Sequence, residues 1–478
     1  MKIFFTFFQL FFIINAFSQS PIDQFLKPDY MKGASISIMV KDVLNDTVIY
    51  SYDAERELIP GSVMKIVTSA TALEILGEQF RFETSIMYDG LIKDSILFGN
   101  LYIRGSGDPT LGSREARSDP EIIVREWIKH IKLAGIRLVT GAVISDESIF
   151  DLQGISMKML HEDMGSYYGQ GSYGINFMDN RYTLFLRTGK PNTIPEIIKT
   201  DPDLPFVIFN NYLSTNVSDV DSMYITGYPY SNERYLFGTV PANRFSYQQK
   251  GDIPDPPLFL SQFFTKHLEK DTVIVSGAPT CYRILFQNNN WNIQERKILF
   301  NTYSIRLNEL VRITNYLSHN FYTDALLKTI GLYYDTDEEL SSFEKGVKFI
   351  KKYWSEKGFN TSSIWMFDGS GLSTTDKLTA SFICEFLSYM YTQSPVSKSF
   401  IESLPRAGVE GTVANFLRGS VLQGKARLKS GSMSRVRSYA GYVIKDGNIY
   451  SIAILVNNFS CSQTQMRLNI EQLLLSFF

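Results

Sequence analysis

Apolar and polar residues alternate over 34–52, with Asn45-Asp46 between the two runs, a pattern that predicts a β-hairpin. The hairpin leads into Gly61-Ser62-Val63-Met64-Lys65. Beyond it Ile66-Val67 and the run from Ala70 to Leu76 are apolar enough to predict a buried helix, with Gly77 as its stop. Strand-like patterns follow at 82–87 and 96–103, and Gly105-Ser106-Gly107-Asp108-Pro109 breaks the rhythm. Helical spacing over 120–134 places Ile122, Ile123, Trp127, Ile128 and Ile131 on one side, and 139–144 reads as a further strand. Residues 176–260 change character. Short runs at 182–187, 206–209 and 223–226 lie among Pro-, Asn- and Asp-rich turns and predict a small β-rich module. A helix at 257–268 and a strand at 272–275 precede the polar stretch 283–300, which reads as a linker.

From Ile305 the period becomes helical, with Leu307, Leu310, Val311, Thr314 and Leu317 on one face. Ser318-His319-Asn320 interrupts it, and Ala325-Leu326-Leu327 resumes it. Helices are predicted at 341–354, at 379–391 with Phe382, Ile383, Phe386 and Leu387 inward, and at 463–478. Between them lie a tight turn at 367–372 and three alternating strands, 426–430, 438–444 and 449–456, the last two joined at Gly447-Asn448.

Composition narrows the class. The 478 residues are 44% hydrophobic and 20% charged, ordinary for a folded protein of two or three domains. A net charge of −2 with no basic cluster gives no push toward nucleic acid. Lys2, the apolar run 3–16 and the small residues of Ala16-Phe17-Ser18 predict an export signal cleaved after Ser18. The run is shorter than the roughly 20 residues a bilayer span needs, so the mature chain is expected without a transmembrane span, in the periplasm. Cys281, Cys384 and Cys461 follow no metal spacing and the four His form no ligand motif, so neither metal nor cofactor is expected.

The candidate chemistry lies at three places. Ser62 and Lys65 are three apart at the start of a buried helix, so a hydroxyl and an amine share a face. Ser318-x-Asn320 breaks a helical region, and Lys429-Ser430-Gly431 sits in a strand. Each has a second copy in a less suitable setting: Ser342/Lys345 on a charged helix face, and Ser214-Thr215-Asn216 and Arg187-Thr188-Gly189 in the turn-rich module. The ordered set is more specific than any member.

That set resembles the serine penicillin-recognising enzymes, whose Ser-x-x-Lys, Ser-x-Asn and Lys-Thr/Ser-Gly elements line one groove. Three further runs narrow the resemblance: Gly107-Asp108-Pro109-Thr110-Leu111, Phe367-Asp368-Gly369-Ser370-Gly371-Leu372, and Leu404-Pro405 with Ala407-Gly408-Val409 and Gly411-Thr412. With these the chain resembles the D-alanyl-D-alanine carboxypeptidase/endopeptidase family, peptidase family S13, the class C low-molecular-mass penicillin-binding proteins. The resemblance implies a mixed α/β fold, a serine β-lactamase-like domain with an antiparallel sheet and a helical subdomain, interrupted by a large β-rich insertion. The matching boundaries are 19–84 and 284–478 for the penicillin-binding domain and 85–283 for the insertion, with a nested module at about 176–240. His319 stands where the family usually has Asp, a change expected to alter either pH dependence or the way the loop is held, and Ser430 where Thr is common.

The resemblance implies a D,D-peptidase acting on peptidoglycan stem peptides and inhibited by β-lactams. Ser62 is the expected nucleophile and Lys65 its base, lowered by burial or by the nearby cation Lys429. Ser318 relays a proton and Asn320 binds the substrate's amides. Lys429 and Ser430 receive a carboxylate, Gly431 allows close approach, and the N–H groups of Ser62 and Ser432 form the oxyanion hole. Asp163 is expected to hold the charged end of the stem peptide. The alternatives are a β-lactamase, distinguished by nitrocefin turnover, and a non-catalytic wall-binding protein, distinguished by absence of D-Ala release.

Overall fold

The computed structural model describes residues 20–292, 294–334 and 339–478; the export signal expected at 1–18 lies outside them. Among the described residues no helix is long and apolar enough to cross a membrane.

The two ends of the chain build one antiparallel sheet. Its order is Thr47–Tyr52, Ser35–Asp42, Asn448–Asn457, Val436–Lys445, Ala426–Met433. Successive side chains point to opposite faces of a strand. Ile36, Ile38 and Val40 therefore meet Met466, Ile470 and Leu474 of the closing helix Gln463–Phe477. On the other face Met39, Ala440, Ala453 and Leu455 meet a group of helices. Both faces are covered, so Ser35–Asp42 is buried along nearly its whole length.

Lys65–Leu76 lies at the centre of that group, with everything from Lys65 to Leu73 buried. A helix enclosed on all sides must satisfy its hydroxyls locally. Ser69 Oγ donates to the Lys65 carbonyl, Thr71 Oγ1 to that of Val67, and Thr68 Oγ1 across to Gly369. Gly77 ends the helix at φ +82°, a backbone region open to glycine. Leu307–Leu317, Asn320–Gly331, Ser342–Glu356 and Ala380–Thr392 pack around it. Trp354 seals the far side: its ring meets Phe386 at 4.6 Å and its Nε1 donates to Thr71 Oγ1 at 2.8 Å.

A second core runs from Ile86 to Val275. A five-stranded sheet (Thr280–Cys281, Val143–Asp146, Leu101–Arg104, Glu83–Tyr88, Lys297–Tyr303) carries it, with helices Pro120–Leu133 and Pro256–Lys270. Short strands from Arg181–Arg187 to Tyr247–Asp252 form three smaller sheets alongside.

About half of the expected linker at 283–300 is instead helix and strand. Tyr282–Gln287 is helical and Lys297–Tyr303 is an edge strand pairing with Glu83–Tyr88. The Asn-rich run occupies only the turn between them, and an edge strand half open to solvent carries little hydrophobic signal. The strand read at 139–144 divides into Leu138–Val139 and Val143–Asp146, which join different sheets across Gly141. Glu196–Asp201, Glu233–Phe237 and Tyr247–Asp252 escaped the sequence pattern because burial in them does not follow polarity: the charged Arg234 and Asp252 are buried, while Ile198 is exposed.

Candidate active site

Ser62 lies on a tight turn, Gly61–Met64, that feeds directly into the Lys65 helix. Ser318 caps the end of Leu307–Leu317 in the left-handed region, φ +57°, and Asn320 opens the next helix. A non-glycine residue held there is strained, a cost that surrounding structure sustains most often at functional sites. Lys429 and Ser430 come from the edge strand Ala426–Met433. These parts converge on one cleft of about 530 Å³, lined by Ser62, Asp163, Tyr168, Ser318, Asn320 and Ser432 among others. Lys65 and Lys429 lie beneath its floor, both 0% exposed.

Lys65 Nζ stands 3.0 Å from Ser62 Oγ, 2.7 Å from Asn320 Oδ1 and 2.7 Å from the Ser370 carbonyl. A neutral amine has two protons and one lone pair. The two carbonyl oxygens accept the protons, which leaves the lone pair facing the serine hydroxyl. Burial draws Lys65 down from its ordinary 10.5 to about 7, against the pull of the Asp368, Asp324 and Asp376 carboxyls. The expected lowering by Lys429 is not the cause. Lys429 is itself pushed well down, by burial first and then by Lys65 and Arg437. Its Nζ donates to Ser318 Oγ at 2.9 Å and to the Ser430 carbonyl at 2.8 Å.

The Ser370 carbonyl is aimed by Asp368. Asp368 Oδ1 accepts the N–H groups of Ser370 at 2.9 Å and Gly371 at 2.6 Å, and Oδ2 that of Ser373 at 2.7 Å. Asp324 Oδ1 accepts from Gly369 N–H at 2.8 Å, tying the same turn to the Asn320 helix. Burial pushes the Asp324 and Asp376 carboxyls well above the usual range. At Gly371 a Cβ would lie 2.0 Å from the Gly61 carbonyl, so this turn and the Ser62 turn touch through backbone alone.

The edge strand approaches as closely. A Cβ on Gly431 would sit 2.4 Å from the Pro60 carbonyl and 3.1 Å from Ser62 N. Leu428 N–H turns outward to the Pro405 carbonyl. By the two-residue alternation of an edge strand, the N–H groups of Ser430 and Ser432 face the same open side. The backbone bearing Ser432 N–H lies against the Ser62 turn: a Cβ on Gly61 would sit 3.4 Å from Ser432 N. Ser430 Oγ donates to Thr412 Oγ1 at 2.8 Å.

Asp163 is 7% exposed at the rim, its carboxyl raised to about 6 by burial, with Tyr168 hydrogen bonding opposing and Glu162 and Asp368 reinforcing. His319 is buried against Tyr322, ring centroids 4.1 Å apart. Burial, with Arg181 and Lys65, drives it to about 3, so it stays neutral and supplies no titration near neutrality. The pH effect expected of it does not arise.

The second copies of the motifs stay apart. Ser214–Asn216 pairs with Thr239–Pro241 in the small module, Arg187 ends a neighbouring strand, and Ser342 opens a helix on the far side of Asn320–Gly331. Sequence reasoning missed Asp368, Ser370, Thr412 and the Tyr168 carbonyl. The first three stand in runs noted for resemblance but given no role. A backbone carbonyl has no side-chain signal to find.

The family model of D-Ala-D-Ala carboxypeptidase 3 (S13) matches residues 18–475. The chain is 25% identical over 451 residues to D-alanyl-D-alanine carboxypeptidase of Actinomadura sp. (strain R39), covering 92% of this chain and 80% of that one. It is 20% identical over 443 residues to D-alanyl-D-alanine carboxypeptidase DacB of Haemophilus influenzae, covering 91% and 88%. The crystal structure of penicillin binding protein 4 (dacB) from Haemophilus influenzae superposes with a TM-score of 0.80 at 20% identity, over 95% of this chain and 98% of that one. A second structure of that protein, complexed with a novel β-lactam, gives 0.75 at 19% identity over the same shares.

Asp368→Asn keeps the shape of the side chain but turns an N–H₂ toward one of its N–H donors. It should destabilise the protein by about 1–3 kcal/mol, read from thermal or urea unfolding. An unchanged unfolding transition contradicts the placement of Asp368.

Proposed function

The chain belongs to the D-Ala-D-Ala carboxypeptidase 3 (S13) family and is a serine hydrolase; from that premise we propose that it is a peptidoglycan D,D-peptidase working through an acyl-enzyme on Ser62. The observation that carries this is the coordination of Lys65 Nζ: a backbone carbonyl and the Asn320 amide oxygen, each at 2.7 Å, and the Ser62 hydroxyl at 3.0 Å. Lys65 takes the hydroxyl proton as Ser62 Oγ attacks the carbonyl of a D-Ala-D-X bond. The developing oxyanion is received by the N–H groups of Ser62 and Ser432, and one such donor is typically worth ~100- to 1000-fold in rate. Ser318, hydrogen-bonded to Lys429, relays the proton that Lys65 took to the departing amine, which leaves Lys65 neutral again. Lys429 with Ser430 receives the terminal carboxylate. Water then releases the shortened stem peptide from Ser62.

The same Ser62 ester is proposed to form with β-lactams, in line with the β-lactam complex of the Haemophilus influenzae protein. Asp163, at the rim and ionised above about 6, is proposed to hold the cationic end of the stem peptide. The substrate is the uncleaved D-Ala terminus, a D-Ala cross-link, or both. Such a substrate lies outside the cytoplasm, consistent with the export signal read at 1–18. The segment 85–283 is proposed as an insertion that reaches the cleft through the loop bearing Asp163 and Tyr168.

Labelled penicillin should attach covalently to the wild-type chain and not to Ser62→Ala, and D-Ala release from defined muropeptides should stop with it; acylation of Ser62→Ala overturns the assignment. Only neutral Lys65 accepts a proton, so the acylation rate should climb with pH through an inflection near about 7. A rate flat through neutrality contradicts Lys65 as base. Asp163→Ala should raise KM on muropeptides with a free diamino-acid amine while leaving kcat nearly unchanged, and identical kinetics would retire that contact.

A further inference from the structure

Asn320 serves Lys65 only one way round. An amide side chain exchanges its oxygen and nitrogen by a half-turn, and its partners decide which face is presented. Here both partners select the same orientation. On one side Oδ1 accepts from Lys65 Nζ at 2.7 Å, and on the other Nδ2 donates to the Tyr168 carbonyl at 2.9 Å, an atom that can only accept. The second acceptor on Lys65, the Ser370 carbonyl, is fixed by its backbone. Asn320 is the one of the two that can turn.

Tyr168 reaches the cleft on the 161–171 loop, which is clamped from the short-stranded module. The Gly165 carbonyl accepts from Asp252 N–H at 3.1 Å and the Met164 carbonyl from Gly227 N–H at 3.3 Å. Ser166 Oγ donates to the Asp163 carbonyl at 2.6 Å, and Asn180 Nδ2 to that of Gly171 at 2.9 Å. Gly169 permits the tight return to the cleft, since a Cβ there would lie 2.1 Å from the Asp163 carbonyl. A continuous run of contacts thus leads from the inserted strands to the base.

We propose that Tyr168 is a positioning residue: its backbone carbonyl holds the Asn320 amide with the oxygen toward Lys65, so that the inserted region completes the general base. This rests on the reading of Ser62 and Lys65 given above. The charged or titratable groups facing Lys65 are Asp324 and His319 at the Asn320 helix, Asp368 and Asp376 from the 367–376 turn, and Lys429 from the edge strand. None of them lies on the loop; Asp163, which does, reaches Asp368 but is not among the groups acting on Lys65, so the direct contact between the loop and the base runs through Asn320.

The test is acylation of full-length Gly169→Ala by benzylpenicillin, which lacks the cationic arm that Asp163 would hold. The limiting acylation rate should fall by about 10- to 100-fold, while the preceding binding constant changes by less than about 3-fold. The acid limb of the pH–rate profile should move to lower pH, because the Lys65 ammonium has lost an acceptor. Asn320→Asp, which adds charge beside Lys65 and cannot donate to the Tyr168 carbonyl, should move that limb the opposite way. If Gly169→Ala does not fold, Ser166→Ala is read in its place, since it removes the loop's bond to the Asp163 carbonyl. A wild-type limiting rate and pH profile in the folded loop variant, or a loss confined to binding, overturns the role of Tyr168 alone. A wild-type chain that benzylpenicillin does not acylate overturns the Ser62 reading beneath it.

Discussion

Everything at this site depends on a lysine amine kept out of water. Lys65 is enclosed at the start of a helix buried on all sides, and the ammonium form loses the hydration that would hold it charged. The fall from 10.5 to about 7 corresponds to on the order of 5 kcal/mol against the charged form. The unfolded chain binds that proton more readily. This group's contribution to stability is therefore unfavourable below about 7 and improves as pH rises toward 10.5. Stability is given up at this position, and a neutral amine facing a hydroxyl is what stands there in return.

Much of the fold reads as support for that amine. The Asp368 turn delivers one acceptor, and the Asn320 helix delivers the other. Gly371 and Gly431 let the turn and the edge strand meet the Ser62 loop backbone to backbone. Any side chain at either place would push apart groups whose work depends on tenths of an ångström. The sheet that brings Lys429 to this point is closed by the chain's two ends: Ser35–Asp42 pairs with Asn448–Asn457, which aligns the C-terminal strands against the N-terminal helix core.

The legible parts of this architecture are those in which one residue type has one reason to be where it is. The apolar helix after Ser62, its stop at Gly77 and the three C-terminal strands were visible because burial imposes period and glycine marks left-handed backbone. The Ser62–Lys65 pairing follows from helical spacing. The edge strand Lys297–Tyr303 reads as linker, since half its positions face solvent and its partner lies some 200 residues away in the sequence. The cause of the Lys65 shift was half legible: burial follows from the helix, whereas the Asp324, Asp368 and Asp376 carboxyls opposing it come together only in three dimensions. His319 invited a pH role that its burial removes. The Tyr168 carbonyl could not be read at all, because every residue carries one.

The most direct measurement is the titration of Lys65 itself, followed by NMR of the chain with ¹³C-labelled lysine side chains and assigned with Lys65→Arg. The enclosed amine described here should change charge near about 7. A Lys65 signal that stays protonated until the ordinary lysine range, ~10.4, would contradict the account.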